Sequence, residues 1–304
     1  MRLTRAARLS ILIYHRVLAC PDPLFPCEVD ATRFSGQLRV LKRYFRVMPL
    51  LEAVRLLEQD KLPARAACIT FDDGYADNAE IALPILMEHG LCATFFIATG
   101  FLDGGQMWND RVIELVRQTA GDRLDLSASD LGCFDIATLA LRRNAIDVLL
   151  GKLKYLPPEH RLERVGNICG IGEADGLMMS SAQVRALHRA GMEIGAHTVN
   201  HPILTRISDQ SARIEILHSK NSLERIIDSK VSLFAYPNGK PGNDYGPMHI
   251  QMVKELGFQA AVATVRGAAS SIADRFQLPR FTPWERNTLG FLLRMGQNIL
   301  KPLA

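Results

Sequence analysis

The sequence predicts an α/β fold, a parallel sheet curled into a barrel, on three observations. Short apolar runs alternate with helix-period segments over most of the 304 residues, the pattern of βα units on a parallel sheet. No glycine-rich phosphate loop follows the first apolar runs, so a nucleotide-binding doubly wound sheet fits less well than a barrel. Polar clusters stand at the ends of four of the runs, where a barrel builds its active site. The length exceeds the usual single-domain mode but is common among α/β barrels, and residues 1–304 are read as one domain.

Taken in order, Ser10–Tyr14 reads as a strand. Phe34, Leu38, Leu41 and Phe45 recur at helical spacing, as do Leu50, Val54 and Leu57. Ala67–Phe71 is a strand ending at two aspartates, and Asp77–His89 a helix closed by Gly90 despite Pro84. Ala93–Ala98 is a buried strand and Asp110–Thr119 a helix. Residues 121–179 carry helical patches and a Pro157-Pro158 break but no alternating strand, and are read as a helical insertion. The rhythm resumes with Ser180 as a cap and Gln183 as its capping-box partner on a helix that ends at Gly191. Glu193–Ala196 (strand), Ser208–Ile227 (helix), Val231–Tyr236 (strand), Pro247–Leu256 (helix, stopped by Gly257) and Ala260–Thr264 (strand) follow.

Composition narrows the partners. A net charge of +4 over this length, with no run of five like charges and no aromatic-basic interleaving, gives no reason to expect a nucleic-acid partner. The six cysteines form no Cys-x-x-Cys pair, no disulfide framework and no zinc-knuckle spacing, which leans towards a reducing compartment. The apolar stretch Ile11–Tyr14 behind the basic start is too short for a signal-peptide core, and no transmembrane helix is read, so the expected location is the cytoplasm or the inner membrane face. Leu289–Leu303 is amphipathic; it reads as a packed terminal helix, with peripheral membrane contact as the alternative. Oligomeric state leaves no mark in the sequence.

Four strand ends carry chemistry: Tyr14-His15-Arg16, Thr70-Phe71-Asp72-Asp73-Gly74, Gly195-Ala196-His197-Thr198-Val199-Asn200-His201-Pro202, and Phe234-Ala235-Tyr236-Pro237-Asn238-Gly239. Pro202 biases His201 towards extended backbone, so the histidine pair belongs to a strand end entering a turn. Two histidines and a carboxylate make a common catalytic metal triad with open positions; by themselves the pair reads equally as two polar loop residues. Adjacent carboxylates after an apolar strand are costly to desolvate without cationic partners. Consecutive strand residues point opposite ways, so one can hold a metal while the other faces a water. Alone, Asp72-Asp73-Gly74 reads as a turn with a capping aspartate.

Together, the segments Thr70–Gly74 and His197–Pro202 resemble the NodB-type polysaccharide deacetylases, carbohydrate esterase family 4, over roughly residues 8 to 285. The resemblance implies a distorted (β/α) barrel that hydrolyses N-acetyl groups of a glycan with a divalent metal, zinc first and cobalt or nickel as alternatives. It implies Asp72 as catalytic base and Asp73, His197 and His201 as metal ligands. Two features depart from the family pattern. Ala235 stands where the third motif carries the arginine that orients the base, and no histidine follows His249 to serve as the late catalytic acid. Both departures resemble the permuted poly-N-acetylglucosamine deacetylase branch, in which an early-strand histidine is the acid; His15 matches that place, a structural histidine being the alternative. The same resemblance implies the Asn238 backbone N–H as an oxyanion donor and Tyr236 as a residue of the substrate site. Arg280, in Leu278-Pro279-Arg280-Phe281, is the candidate to replace the missing arginine, a surface arginine the alternative. Trp108 is read as stacking on a sugar face and Trp284 as lining the acetyl pocket, with core packing the competing reading for both.

The expected partner is an N-acetylated glycan, in exopolysaccharide or cell-surface glycan synthesis. Two other functions compete: a metal-dependent amidohydrolase on a small non-sugar amide, and a non-catalytic glycan-binding module. An unligated aspartate beside a metal set argues against the module.

Overall fold

A computed structural model describes residues 7–169 and 176–300. The basic start of the chain, part of the 121–179 segment and the end of the terminal apolar segment lie outside the described residues.

Seven strands form the main sheet: β1 (Ser10–Tyr14), β2 (Arg46–Val47), β3 (Ala66–Phe71), β4 (Thr94–Ile97), then, after a hairpin of β5 (Arg123–Leu126) and β6 (Gly132–Asp135), β7 (Glu193–Ala196), β8 (Leu233–Ala235) and β9 (Ala260–Val262). The order is β1-β3-β4-β7-β8-β9 with β2 against the start of β3, and every pairing within this sheet is parallel. The stretch Leu278–Phe281 joins the two edges. Leu278 exchanges backbone hydrogen bonds with Ala261 and Ala263 beside β9, and Phe281 with Ile11 and Ile13 of β1. The curl is thereby bridged into a distorted barrel.

Strand periodicity of two sorts the core. Ile11, Cys68, Phe96, Ala235 and Val262 point inward, plugged at the amino end by α2 (Leu50–Glu58) through Leu50, Val54 and Leu57. Their neighbours Leu12, Ile69, Phe95, Phe234 and Ala261 point outward. They are covered by α1 (Ala31–Tyr44), α3 (Leu83–His89), α7 (Ser181–Arg189), α8 (Asp209–Ile227), α9 (Pro247–Glu255) and α10 (Thr288–Leu300). Buried on both faces, β3 is apolar but for Thr70, as parallel strands largely are. Gly195 in β7 is required by packing: a Cβ there would fall 2.4 Å from the Phe96 ring.

The 121–179 segment is not wholly helical. β5 and β6 form an antiparallel hairpin, followed by α5 (Leu139–Lys154) and α6 (Pro158–Cys169). With α4 (Trp108–Gln118) they enclose a small core of Val112, Val116, Leu124, Leu126, Ile146, Leu149 and Val165. The hairpin was missed because each strand is four residues long and only Leu124 and Leu126 of β5 are buried. The two-residue β2 was missed for the same reason. The helix expected over Asp77–His89 opens instead with a wide π-turn over Asn78–Ala82, and α3 starts beside Pro84. Proline has no N–H to give to a preceding turn. Trp108 opens α4. The Ser180–Gln183 capping box forms as expected.

Helix α10 buries Phe291 and Met295 and leaves Leu289 and Leu293 exposed. Among the described residues no helix is long and apolar enough to cross a membrane.

Candidate active site

Parallel register delivers the polar strand ends to one place. Tyr14 pairs with Phe71, so the Asp72 N–H donates to the Tyr14 carbonyl at 2.9 Å. Ile97 pairs with Ala196 and Ala196 with Phe234, so His197 follows beside β8. The chain then leaves the strands in left-handed conformations at Asp73 (φ +73°), Gly74 (φ +91°), Thr198 (φ +67°), His201 (φ +51°) and Asn238 (φ +59°). For β-branched Thr198 that is a strained conformation. It is held by the Thr198 hydroxyl, which donates to the His197 carbonyl and accepts from the His201 N–H at 3.1 Å.

Asp73, His197 and His201 converge there. Asp73 Oδ1 lies 3.5 Å from His197 Nε2 and 3.5 Å from His201 Nε2. That oxygen is buried and has no hydrogen-bond partner, a cost that a bound cation would remove. His197 Nδ1 sits 2.7 Å from the Ala235 carbonyl. A carbonyl only accepts, so Nδ1 carries hydrogen and Nε2 faces Asp73, the arrangement of a ligating histidine with its supporting acceptor. Burial lowers His201 to about 4, leaving it neutral and able to ligate at neutral pH. Burial also lowers His197, but the adjacent Asp73 and Asp72 carboxylates outweigh it and raise it: the two carboxylates demand a positive charge. The ligand-capable atoms of the three residues lie within 4.8 Å of one another, and this donor set fits a divalent cation of the zinc type.

Asp72 stands apart from that set. It is 2% exposed and gripped in fork geometry by Arg280, with Nη1–Oδ1 and Nη2–Oδ2 both 2.7 Å. Arg280 also donates to the Ala263 carbonyl and the Thr70 hydroxyl, at 3.1 Å each. Burial pushes the Asp72 carboxyl up; the Arg280 guanidinium and His197 outweigh that and hold it below the usual carboxylate range. Arg280, 1% exposed, arrives on the strand-like bridge between β9 and β1.

Two cavities flank Asp73. One, about 310 Å³, is lined by His15, Arg16, Tyr75 and Asp110 among others; the second, about 200 Å³, by His201, Asn238, Trp108, Lys154 and Arg161 among others. His15 is exposed on the first; half-buried Trp108 lies in the second, with the Arg161 guanidinium 4.9 Å over its ring.

Two expected site residues are elsewhere. Tyr236 is wholly buried on the outward face, stacked 3.7 Å from the Tyr245 ring, because alternation along β8 sends it to the helix layer with Phe234. Trp284 is 55% exposed with Arg294 over its ring, and lines neither cavity. It follows the closing bridge on the way to α10.

Sequence reading missed two supports. Glu215 of α8 accepts from the Val199 and Asn200 N–H groups, both at 2.8 Å, and from Asn200 Nδ2 at 2.7 Å, clamping the turn between the histidines. Asp110 accepts from the Tyr75 hydroxyl and is pushed up to about 7 by burial and by Asp73. Neither residue stands in a motif, and each reaches the site from an ordinary helix.

The polysaccharide deacetylase family model matches residues 59–125 and 160–261, more than half of the chain. The chain belongs to the polysaccharide deacetylase family. Membership makes it a hydrolase of amide carbon–nitrogen bonds acting on carbohydrate. The unmatched interval falls on the end of the hairpin and α5, the part with its own core. A curated relative named for the same family, YxkH of Bacillus subtilis (strain 168), is 22% identical over 282 residues, covering 91% of this chain and 71% of that one. Among solved structures, the deacetylase PplD of Streptococcus pyogenes superposes with a TM-score of 0.66 at 20% identity, covering 98% of this chain and 100% of that one. IcaB of Ammonifex degensii gives 0.61 at 18%, covering 95% and 98%. At these identities the likeness is one of fold: a curled parallel sheet wrapped in helices.

Proposed function

We propose that this polysaccharide deacetylase removes N-acetyl groups from a polysaccharide or glycan intermediate with a divalent cation held by Asp73, His197 and His201, zinc first and cobalt or nickel as alternatives. The single observation that carries the reading is the division of labour between adjacent carboxylates. Asp73 offers an unpartnered oxygen to the two histidines, while Asp72 is kept ionised by Arg280. A binding module needs no second, unligated carboxylate there. The setting would be exopolysaccharide or cell-surface glycan assembly.

When bound, the cation supplies Lewis-acid polarisation of the acetyl carbonyl and acidifies a water. The chain's own residues handle the protons. Asp72, ionised and oriented by the guanidinium fork, accepts the proton of the attacking water. Asn238, in a left-handed conformation, lines the same cavity as Asp73, and its backbone N–H would serve the developing oxyanion. His15, exposed across the first cavity, protonates the leaving amine, a poor leaving group until it is protonated.

The test is acetate release from N-acetylglucosamine oligomers by protein loaded in turn with zinc, cobalt and nickel. Metal-dependent acetate is expected. A fully loaded protein that releases none from these oligomers or from other acetylated glycans, yet cleaves small acetamides, would replace the glycan with a small-amide substrate.

A further inference from the structure

The two cavities beside Asp73 differ in charge balance. In the larger, the arginines are already paired: Arg16 with Asp77 at 2.7 Å, and Arg117 with Asp22 at 2.7 Å and Glu114 at 2.9 Å. In the smaller, Arg161 and Lys154 line the wall, and among the described residues Asp73, a proposed metal ligand, is the lone carboxylate on it.

Arg161 is 6% exposed, and among the described residues no carboxylate pairs with it. It donates from Nη1 to the Lys154 carbonyl at 3.0 Å, and its Nε is buried without a partner. Burial alone shifts its pKa, downward, with no acidic neighbour offsetting the cost. A buried guanidinium carries five donors in a rigid fork that matches carboxylate and phosphate oxygens. Leaving such a charge unpaired is expensive, and here it faces the cleft beside the reaction centre, over the face of Trp108.

We propose that the arm lined by Trp108, Lys154 and Arg161 is a subsite for an anionic substituent, a carboxylate or a phosphate, carried next to the N-acetylated sugar. Trp108 offers a face for the ring, Arg161 a fork for the anion, and Lys154 a second positive charge. The inference rests on the deacetylase reading and narrows its substrate class to acidic glycans or phosphate-bearing glycan intermediates.

The test compares matched substrates. One pair is a tetrasaccharide of alternating glucuronate and N-acetylglucosamine and its carboxyl-reduced neutral form. The other is an N-acetylglucosamine oligomer with and without a phosphate at its reducing end. The ratio of kcat/KM, anionic over neutral, is measured within the wild type and within Arg161→Gln, so that a general loss of activity cancels. The wild-type ratio is expected to reach tenfold or more for one pair, which identifies the anion, and to fall to within twofold in the variant. A wild-type ratio near one for both pairs, or a preference that survives Arg161→Gln, would overturn the proposal. Should Arg161→Gln not fold, Lys154→Gln is read for a reduced ratio, and an unchanged ratio there counts against the subsite. If no substrate yields acetate, the deacetylase reading fails separately. The subsite is then tested by titrating inorganic phosphate and glucuronate against tryptophan fluorescence. Saturable quenching that Arg161→Gln abolishes keeps the subsite, and no quenching removes it.

Discussion

Replacing Arg280 with methionine removes the fork from a carboxylate that is 2% exposed. Breaking a buried ion pair by deleting one partner costs about 3–5 kcal/mol, because the remaining charge is stranded. Asp72 can avoid that cost by taking up a proton. Loss of an adjacent cation raises a carboxyl pKa by about 1–3 units, and burial already pushes this one upward. In the wild type the pair stabilises the fold above the unfolded-state carboxyl pKa of about 4. That stabilisation is lost as pH falls through the depressed folded-state value. In the variant the acid limb of the kcat/KM–pH profile should move up by about 1–3 units. Metal content should not change, since Arg280 touches none of the three cation-holding side chains. Adding Asp72→Asn should recover part of the lost stability, because no carboxylate is then stranded, so the two losses will not add. The assay is a pH series of acetate release with metal quantified on the same samples. An unmoved acid limb with unchanged turnover would show that Arg280 does not control the base.

Other perturbations bear on the supports. Glu215→Ala frees the turn between the histidines and should weaken metal affinity about 10–100-fold, as losing a ligand's support does, measured by competition with a chelating dye; unchanged affinity would mean that the Glu215 clamp is dispensable. Gly195→Ala forces a Cβ against Phe96 and should cost about 1–3 kcal/mol in thermal or denaturant unfolding; a neutral result would mean that β4 and β7 can part cheaply. In metal-free protein, Asp110, pushed up to about 7, adds stability at low pH that fades as pH rises from about 4 through 7, at most about 4 kcal/mol. Asp110→Asn should therefore gain on the wild type as pH rises across that window, and parallel pH–stability curves would refute the shift.

The strand and helix succession was legible because burial imposes a period on each element. β1 and β7 fall where the apolar runs place them, and the Ser180 cap forms as its residues dictate. The site was legible where it is contiguous in sequence: Asp72-Asp73 and His197-x-x-x-His201 each follow one strand. Arg280 was readable only as a candidate, because its partner lies 208 residues away and its strand-like bridge is made by closure rather than by an apolar run. Tyr236 was misplaced because the motif carries no statement of face, whereas alternation along β8 does. The β5–β6 hairpin left no usable signal, its pairing being local, short and half solvated.

The most direct measurement is acetate release by wild type and Asp72→Asn, each with its bound metal quantified. The variant keeps Asp73, His197 and His201, so metal content should match the wild type while acetate falls by about 10²–10⁴-fold, the worth of a positioned general base. Activity retained in a fully loaded variant would contradict the assignment of Asp72 as the base and, with it, the division of labour between the two aspartates.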